Sequence, residues 1–338
     1  MSALTSSLRR RLSVLVAVVG LGALAGCSGV TYAETQLPTS SAPRPSSSAP
    51  AVAAPTCDNA TQSYAPLSSL PSRGEISDGT MRTIIDKGYL TVGVSADTYL
   101  FGARNAFTGG IEGFDIDMAR AVAKAIFGDP SKVQLRVITA GDRIPLLKDR
   151  EVDMVARNMS MTCGRWNDIA FSAEYYRSGQ KVLISKSLVT EDKNAASWGL
   201  ADLKDKRVCA PTGTTSLTKL QQVAQPAKAD GPVVVTAGTH TGCLVLLQQG
   251  KADAITGDDT VLAGLAAQDP NTVITSAKAI TVEPYGLGLN KADTYLARYV
   301  NRVIADLVAD GEWKAIYNRW LAAPLGPAPA PPTPVYGR

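Results

Sequence analysis

The chain has 338 residues, 45% of them apolar, 6% aromatic and 19% charged, fractions ordinary for a soluble globule. The formal net charge is +4, and setting aside Arg9, Arg10 and Arg11 leaves about +1. There is no basic tail and no Lys/Arg stripe, which excludes nucleic acid as a partner.

The N-terminus reads as a processing segment. The three arginines precede an apolar run from Leu12 to Gly26. At 15 residues it suits a signal peptide and is short for a membrane span. Leu24, Ala25, Gly26 and Cys27 resemble a bacterial lipobox. This implies a lipoprotein signal peptide at 1–26, cleavage before Cys27, a lipid on its thiol, and attachment to the outer face of the cytoplasmic membrane. Residues 27–75 are assigned to the lipidated cysteine and a disordered linker. Within 28–56, seventeen of 29 residues are Pro, Ser or Ala, a composition that buries too little apolar surface to offset its ordering entropy. Residues 324–338 are similar and are expected to form a disordered Pro-rich tail.

The core between them alternates strand and helix signals. Thr91–Ser95 alternates like a strand. Ile116, Ala119, Val122, Ala123, Ile126 and Phe127 fall on one helical stripe that stops at Gly128. Val133–Thr139 alternates again, so a βαβ unit with a parallel sheet is expected. A late helix carries Leu296, Tyr299, Val300, Val303, Ile304, Leu307 and Val308 on one side, and Gly311 separates it from a second short helix.

Two stretches one hundred residues apart match. LLKDREVDMV begins at Leu146 and LLQQGKADAI at Leu246. Each reads as a helix end, a turn and a short buried strand, so the α/β lobe is duplicated. Ligands of open α/β sheets sit beyond the carboxyl ends of strands. Five residues past Asp153 stands Asn158, followed by Ser160, Thr162 and Arg165; five past Asp253 stands Asp258. A cation on one lobe and a carboxylate on the other would clamp a zwitterion. Thr212, Thr214, Thr215 and Ser216 lead into a further helix, whose N-terminus favours an anion.

Cys57, Cys163, Cys209 and Cys243 remain after Cys27. In an exported chain an even number suggests disulfides, with three pairings open. Zinc is the weaker reading, because there is no CxxC and only one histidine.

GFDIDMARAV, SMTCGRWNDIAFSAEYYRSG, GTTS, GKADAITGDDTVLAG and EPYGLGLNK together resemble the amino-acid-binding family of bacterial periplasmic solute-binding proteins, over about Thr80 to Leu321. The similarity is strongest to glutamate/aspartate and glutamine binders. It implies a type II, two-lobed α/β fold joined by two hinge crossovers, at Tyr175–Gly179 and Val282–Gly286. Lobe 1 would comprise 76–175 and 285–323, and lobe 2 would comprise 180–281. Cys209 and Cys243 then share lobe 2, which pairs them and leaves Cys57 with Cys163.

The resemblance also assigns roles. Arg165 takes the ligand α-carboxylate in a forked pair, which lysine would not reproduce. Ser160 bonds the same carboxylate, and Thr214 and Thr215 add donors. Asp258 holds the α-ammonium, with the backbone at Asn158. Arg143 and His240 meet a distal carboxylate. The family's second arginine is replaced by Ser95, and Arg104 is a candidate substitute; Tyr99 and Phe101 would wall the cleft. Asp115 and Asp117 are taken as structural helix caps. The implied ligand is a free amino acid, aspartate or glutamate first and asparagine or glutamine next. It would be presented by a monomer to an ABC permease or a membrane sensor, without cofactor or metal. A repurposed enzyme of the same fold, like cyclohexadienyl dehydratase, is the alternative. The Ser-x-x-Lys match at Ser216–Lys219 lacks its companion motifs and reads as chance.

Overall fold

A computed structural model describes residues 55–224 and 231–338. The signal segment, Cys27 and the linker to residue 54 lie outside the described residues.

Two sheets of the same plan dominate. The first runs in the order Val133–Val137, Leu90–Val94, Met154–Ala156, Gly288–Asn290, Ile169–Phe171. Its first three strands are parallel, and Gly288–Asn290 is antiparallel to both neighbours. The second runs Val233–Ala237, Arg207–Pro211, Ala254–Asp258, Tyr176–Ser185, Thr272–Ile274. Again three strands are parallel and the fourth is antiparallel to its neighbours.

The expected helices form where the periodicity puts them. Phe114–Phe127 buries Ile116, Ala119, Val122, Ala123 and Ile126 and ends at Gly128 with φ 76°, a left-handed position glycine adopts without a Cβ clash. Thr294–Ala309 buries the rest of its stripe, but Val308 is 39% exposed although Leu307 beside it is buried.

Two crossovers join the sheets. Tyr176–Ser185 first pairs antiparallel with Val282–Tyr285, Tyr176 opposite Tyr285 and Gly179 opposite Val282. It then continues into the second sheet opposite Asp258 through Ala254. After Tyr285 the returning chain becomes Gly288–Asn290 of the first sheet. Each sheet therefore takes its one antiparallel strand from a crossover.

Both ends of the folded unit depart from expectation. Residues 55–75 are not linker: Gln62–Ser63 is a strand, Ser63 is buried, and Tyr64, Leu67 and Leu70 pack on the first core. Residues 324–338 are not a disordered tail: Val335–Tyr336 pairs in parallel with Gln62–Ser63. The Arg338 guanidinium lies 3.9 Å from the Trp166 ring centroid and donates to the carbonyls of Asn59 and Gln62. Proline fixes φ, so ordering this segment costs less entropy than composition alone suggests. The disulfides Cys57–Cys163 and Cys209–Cys243 are both formed, with Cα–Cα distances of 5.8 and 5.6 Å.

Candidate functional site

Arg165 sits in the short helix Cys163–Asp168, which is too short to be stable alone. Three contacts hold it. The Thr162 hydroxyl accepts from the Arg165 N–H at 3.3 Å as N-cap. Cys163 is bonded to Cys57, and buried Trp166 donates Nε1–H to the Ala60 carbonyl at 2.7 Å. The guanidinium then reaches the Ser160 carbonyl at 2.7 Å and, on the other lobe, the Gly213 carbonyl at 3.2 Å.

Asn158 follows the strand Met154–Ala156 and takes φ 40°. Its backbone N–H donates to Asp115 Oδ2 at 2.8 Å, and Tyr175 Oη donates to the other oxygen at 2.6 Å. Asp115 is thus structural, but as the anchor of Asn158 and not as a helix cap; the cap position is Gly113, without a side-chain bond. Burial pushes its carboxyl up to about 6, against the pull of Tyr175 and Asn158.

On the second lobe Asp258 ends the strand Ala254–Asp258 and is 6% exposed. Tyr285 Oη donates to it at 2.5 Å, and Ser216 Oγ lies at 3.5 Å. Burial, then the Glu283 carboxylate, pushes it up to about 7. Thr214 is occupied as the cap of Thr215–Val223, accepting from Leu217 N–H at 3.1 Å and donating to the Pro211 carbonyl at 2.7 Å. Thr215 Oγ1 donates to Glu283 Oε2 at 2.9 Å and lies 3.5 Å from Ser160 Oγ across the cleft. The His240 ring lies against Gly257, where an added Cβ would stand 2.9 Å from Nε2. Burial, then Arg157, pulls the imidazole down to about 3, so it is neutral at physiological pH.

Arg143, Asn158, Ser160, Arg165, Thr214, Thr215, His240 and Asp258 line one cavity of about 20 Å³. Four expected residues lie elsewhere, and one of them, Tyr99, is 47% exposed. Ser95 is buried but bonds Asp97 and Thr98 beneath the cleft. Arg104 is exposed and donates to the Gly109 carbonyl within its own hairpin. Phe101 is a core residue packed on Phe114, Tyr176 and Tyr285. Hydrophobic and loop positions next to a strand end look alike in sequence whichever way the side chain turns. Ser216, read from the sequence only as part of an anion-favouring helix start, also lines the cavity, and so do Arg157 and Val261, which were not anticipated. Arg157 was findable, since it directly follows the same strand end as Asn158. A larger groove of about 640 Å³, beside the helices Phe114–Phe127 and Thr294–Ala309, holds none of these residues.

The lobes meet closely around the cavity. Gly213, at φ 75°, approaches Gly141 so that a Cβ would stand 2.8 Å from its backbone. Thr241 Oγ1 donates to the Asp97 carbonyl at 2.9 Å. One water needs roughly 10–15 Å³ by the same kind of measure, so an amino acid enters only if the lobes part.

Residues 90–323 match the family model of bacterial extracellular solute-binding proteins, family 3. The ABC transporter glutamine-binding protein GlnH of Bacillus subtilis is 33% identical over 254 residues, covering 74% of this chain and 89% of that protein. The L-glutamate/L-aspartate-binding protein of Pseudomonas aeruginosa is 27% identical over 273 residues, covering 79% and 88%. The solved structure of the solute receptor for L-cysteine of Neisseria gonorrhoeae has a TM-score of 0.65 and 26% identity, covering 73% of this chain and 96% of that one. Its relatives bind solutes and are not enzymes, and the two-lobed fold is of the type II periplasmic kind. The match spans well over half the chain, and the protein belongs to the bacterial extracellular solute-binding proteins, family 3.

Proposed function

We propose that this protein captures a free amino acid, aspartate or glutamate first and asparagine or glutamine next, in the cleft between its lobes. It presents the closed form to a membrane partner, an ABC permease or a sensor, while held at the outer membrane face by a lipid on Cys27. The observation that carries the reading is the placement of Arg165 and Asp258 on opposite lobes of one cavity. Arg165 takes the α-carboxylate with Ser160 and Thr215, and Asp258 takes the α-ammonium. Two relatives named for glutamine and for glutamate/aspartate support an amino acid of this size.

Charge favours the acidic members. Arg143, Arg157 and Arg165 face the cavity against the single lining carboxylate of Asp258. A dianionic ligand bearing one ammonium balances that excess better than an amide does. Each charge-assisted bond contributes ~1.5–3 kcal/mol, and four or five suffice for micromolar affinity after ordering costs. The test is a thermal-shift screen of the twenty amino acids on the exported protein in mild detergent. A ligand at a hundredfold excess over Kd adds ~2.7 kcal/mol of stability. Aspartate and glutamate are expected to give the largest shifts; no shift with any amino acid would reject the reading.

A further inference from the structure

The three guanidinium groups around the cavity are not equivalent. Arg143 is spent on backbone: Nε donates to the Ala140 carbonyl at 2.9 Å, Nη1 to those of Arg157 and Asn158 at 3.2 and 3.4 Å, and Nη2 to that of Gly213 at 2.8 Å. Every nitrogen of its fork has an acceptor, so it braces the strand end and touches the second lobe. Arg165 bonds two carbonyls at the other side of the cavity.

Arg157 differs. It is 5% exposed, and only its Nε is used, donating to the Ile138 carbonyl at 2.9 Å. Among the described residues, neither Nη has an acceptor, and no carboxylate lies within ion-pair distance. Two polar atoms that line the same cavity are buried without a partner, Asn158 Nδ2 and His240 Nε2. Buried donors are normally paired, and leaving one unmade costs more than a typical bond gains. Two such atoms beside the unused Nη donors of Arg157 call for an acceptor-rich occupant. The field divides the same way. Arg165 is influenced by Glu283 and Asp258, whereas Arg157 is influenced by Asp97, Asp115 and Asp142. His240 responds to Arg157 before any other charge.

We propose that Arg157, and not Arg143, is the guanidinium that receives the side-chain terminus of the bound amino acid, flanked by Asn158 Nδ2 and His240. The inference rests on the amino-acid reading above and sharpens it. Arg157 sets the preference for a carboxylate, while the neutral His240 and the Asn158 amide serve a carboxylate or an amide carbonyl. Arg143 keeps the site in shape.

Calorimetric titration of aspartate, glutamate, asparagine and glutamine into the full exported protein tests it. The wild type alone decides whether acidic ligands bind at all. R157Q is expected to weaken the acids by about 10- to 150-fold, the span of one lost charge-assisted bond, and the amides by less than about threefold. R157K is expected to recover part of the acid affinity. R143Q is expected to weaken all four alike. An R157Q loss equal for acids and amides, or an acid-selective loss in R143Q, overturns the assignment. Were the wild type to bind only amides, R157A must still weaken glutamine at least tenfold and more than R143A does; otherwise the assignment fails. A measurement free of folding defects accompanies these: the arginine side-chain 15N resonances missing from R157K must shift in wild type when ligand is added, and their failure to move also overturns it.

Discussion

The two lobes share a hundred-residue offset at atomic detail, and they part where the cleft begins. In the first, Asp153 takes the Thr91 N–H on its side chain and returns its own N–H to the Thr91 carbonyl, at 2.7 and 2.9 Å. In the second, Asp253 does the same with Arg207, at 2.7 and 2.7 Å. A cation closes each pair, Lys87 on Asp153 and Arg207 on Asp253. The preceding turns match as well. Leu146 and Leu246 each accept from the residues five and six further on, and Arg150 and Gly250 both take the left-handed backbone, at φ 55° and 65°. Five residues past each aspartate the likeness stops. Asn158 sits at φ 40° with its N–H held by Asp115, while Asp258 keeps an extended backbone and a buried carboxyl. What repeats is the device that ties a helix end to two strands; what differs is the charge offered to the cleft.

That contrast can be broken from either side. The largest effect is expected from removing one of the opposed charges. R165A or D258A should weaken amino-acid binding by ~3–6 kcal/mol, the loss of a forked pair or of a buried partner, with the circular dichroism spectrum unchanged. Micromolar affinity retained in calorimetry would show that the lobes do not clamp the ligand by its two charges.

The disulfides come next. Cys57–Cys163 closes 106 residues and joins the first lobe to the N-terminal strap; Cys209–Cys243 closes 34 within the second. Chain entropy assigns them ~4.8 and ~3.8 kcal/mol. Serine replacement of the first pair should cost more in denaturant unfolding and should also weaken ligand binding, since Arg165 stands two residues from Cys163. Replacement of the second should cost stability with less loss of affinity. The reverse order would mean that the strap does not position Arg165.

Removing the repeated aspartates should be smaller and symmetrical. D153A and D253A each strand a backbone N–H and a cation, for ~1–3 kcal/mol apiece. Their effects should add in the double mutant, because the sites are on separate sheets. Strong coupling would count against two independent copies of the motif.

The smallest effect is one of pH, and it is one-sided. The first lobe presents arginines, which do not titrate in the working range, and His240 is held near 3. Asp258 alone moves. Its carboxyl in the closed cleft is raised from 3.8 to about 7. Relative to a water-exposed Asp258, acid therefore favours closure without ligand, fully below about 4, and the advantage vanishes as pH rises through 7. A ligand ammonium needs the ionised form. Binding should release a proton below 7, affinity should rise with pH by up to tenfold per unit to that point, and D258N should abolish the dependence. Calorimetry in buffers of different ionisation enthalpy measures it; an unchanged proton count between pH 5 and 8 would remove Asp258 from the ligand.

Much of this was legible in the residues. The strands, the long helices and the repeat follow from period, glycine stops and turn chemistry, all local signals, whereas the crossovers come from the family resemblance. Arg165 and Asp258 could be singled out because both follow the ends of the two repeated strands. Direction was not legible. Ser95, Arg104 and Phe101 flank a strand end as Arg157 does, yet they turn into the floor, a hairpin and the core. The tail was misjudged because composition reports what a segment buries alone and is silent on a partner. Arg338 finds the Trp166 ring, and Val335–Tyr336 finds an open strand edge.

The placement of those two segments has a mechanical consequence. The N-terminal strap and the C-terminal residues both fasten to the lobe that bears Arg165, and the other lobe is a loop of chain hung from two crossovers. Whatever pulls on either end of the folded unit grips that one lobe. A tether on either end would make it the stator and leave the half carrying Asp258 as the rotor, the part that would swing in closure.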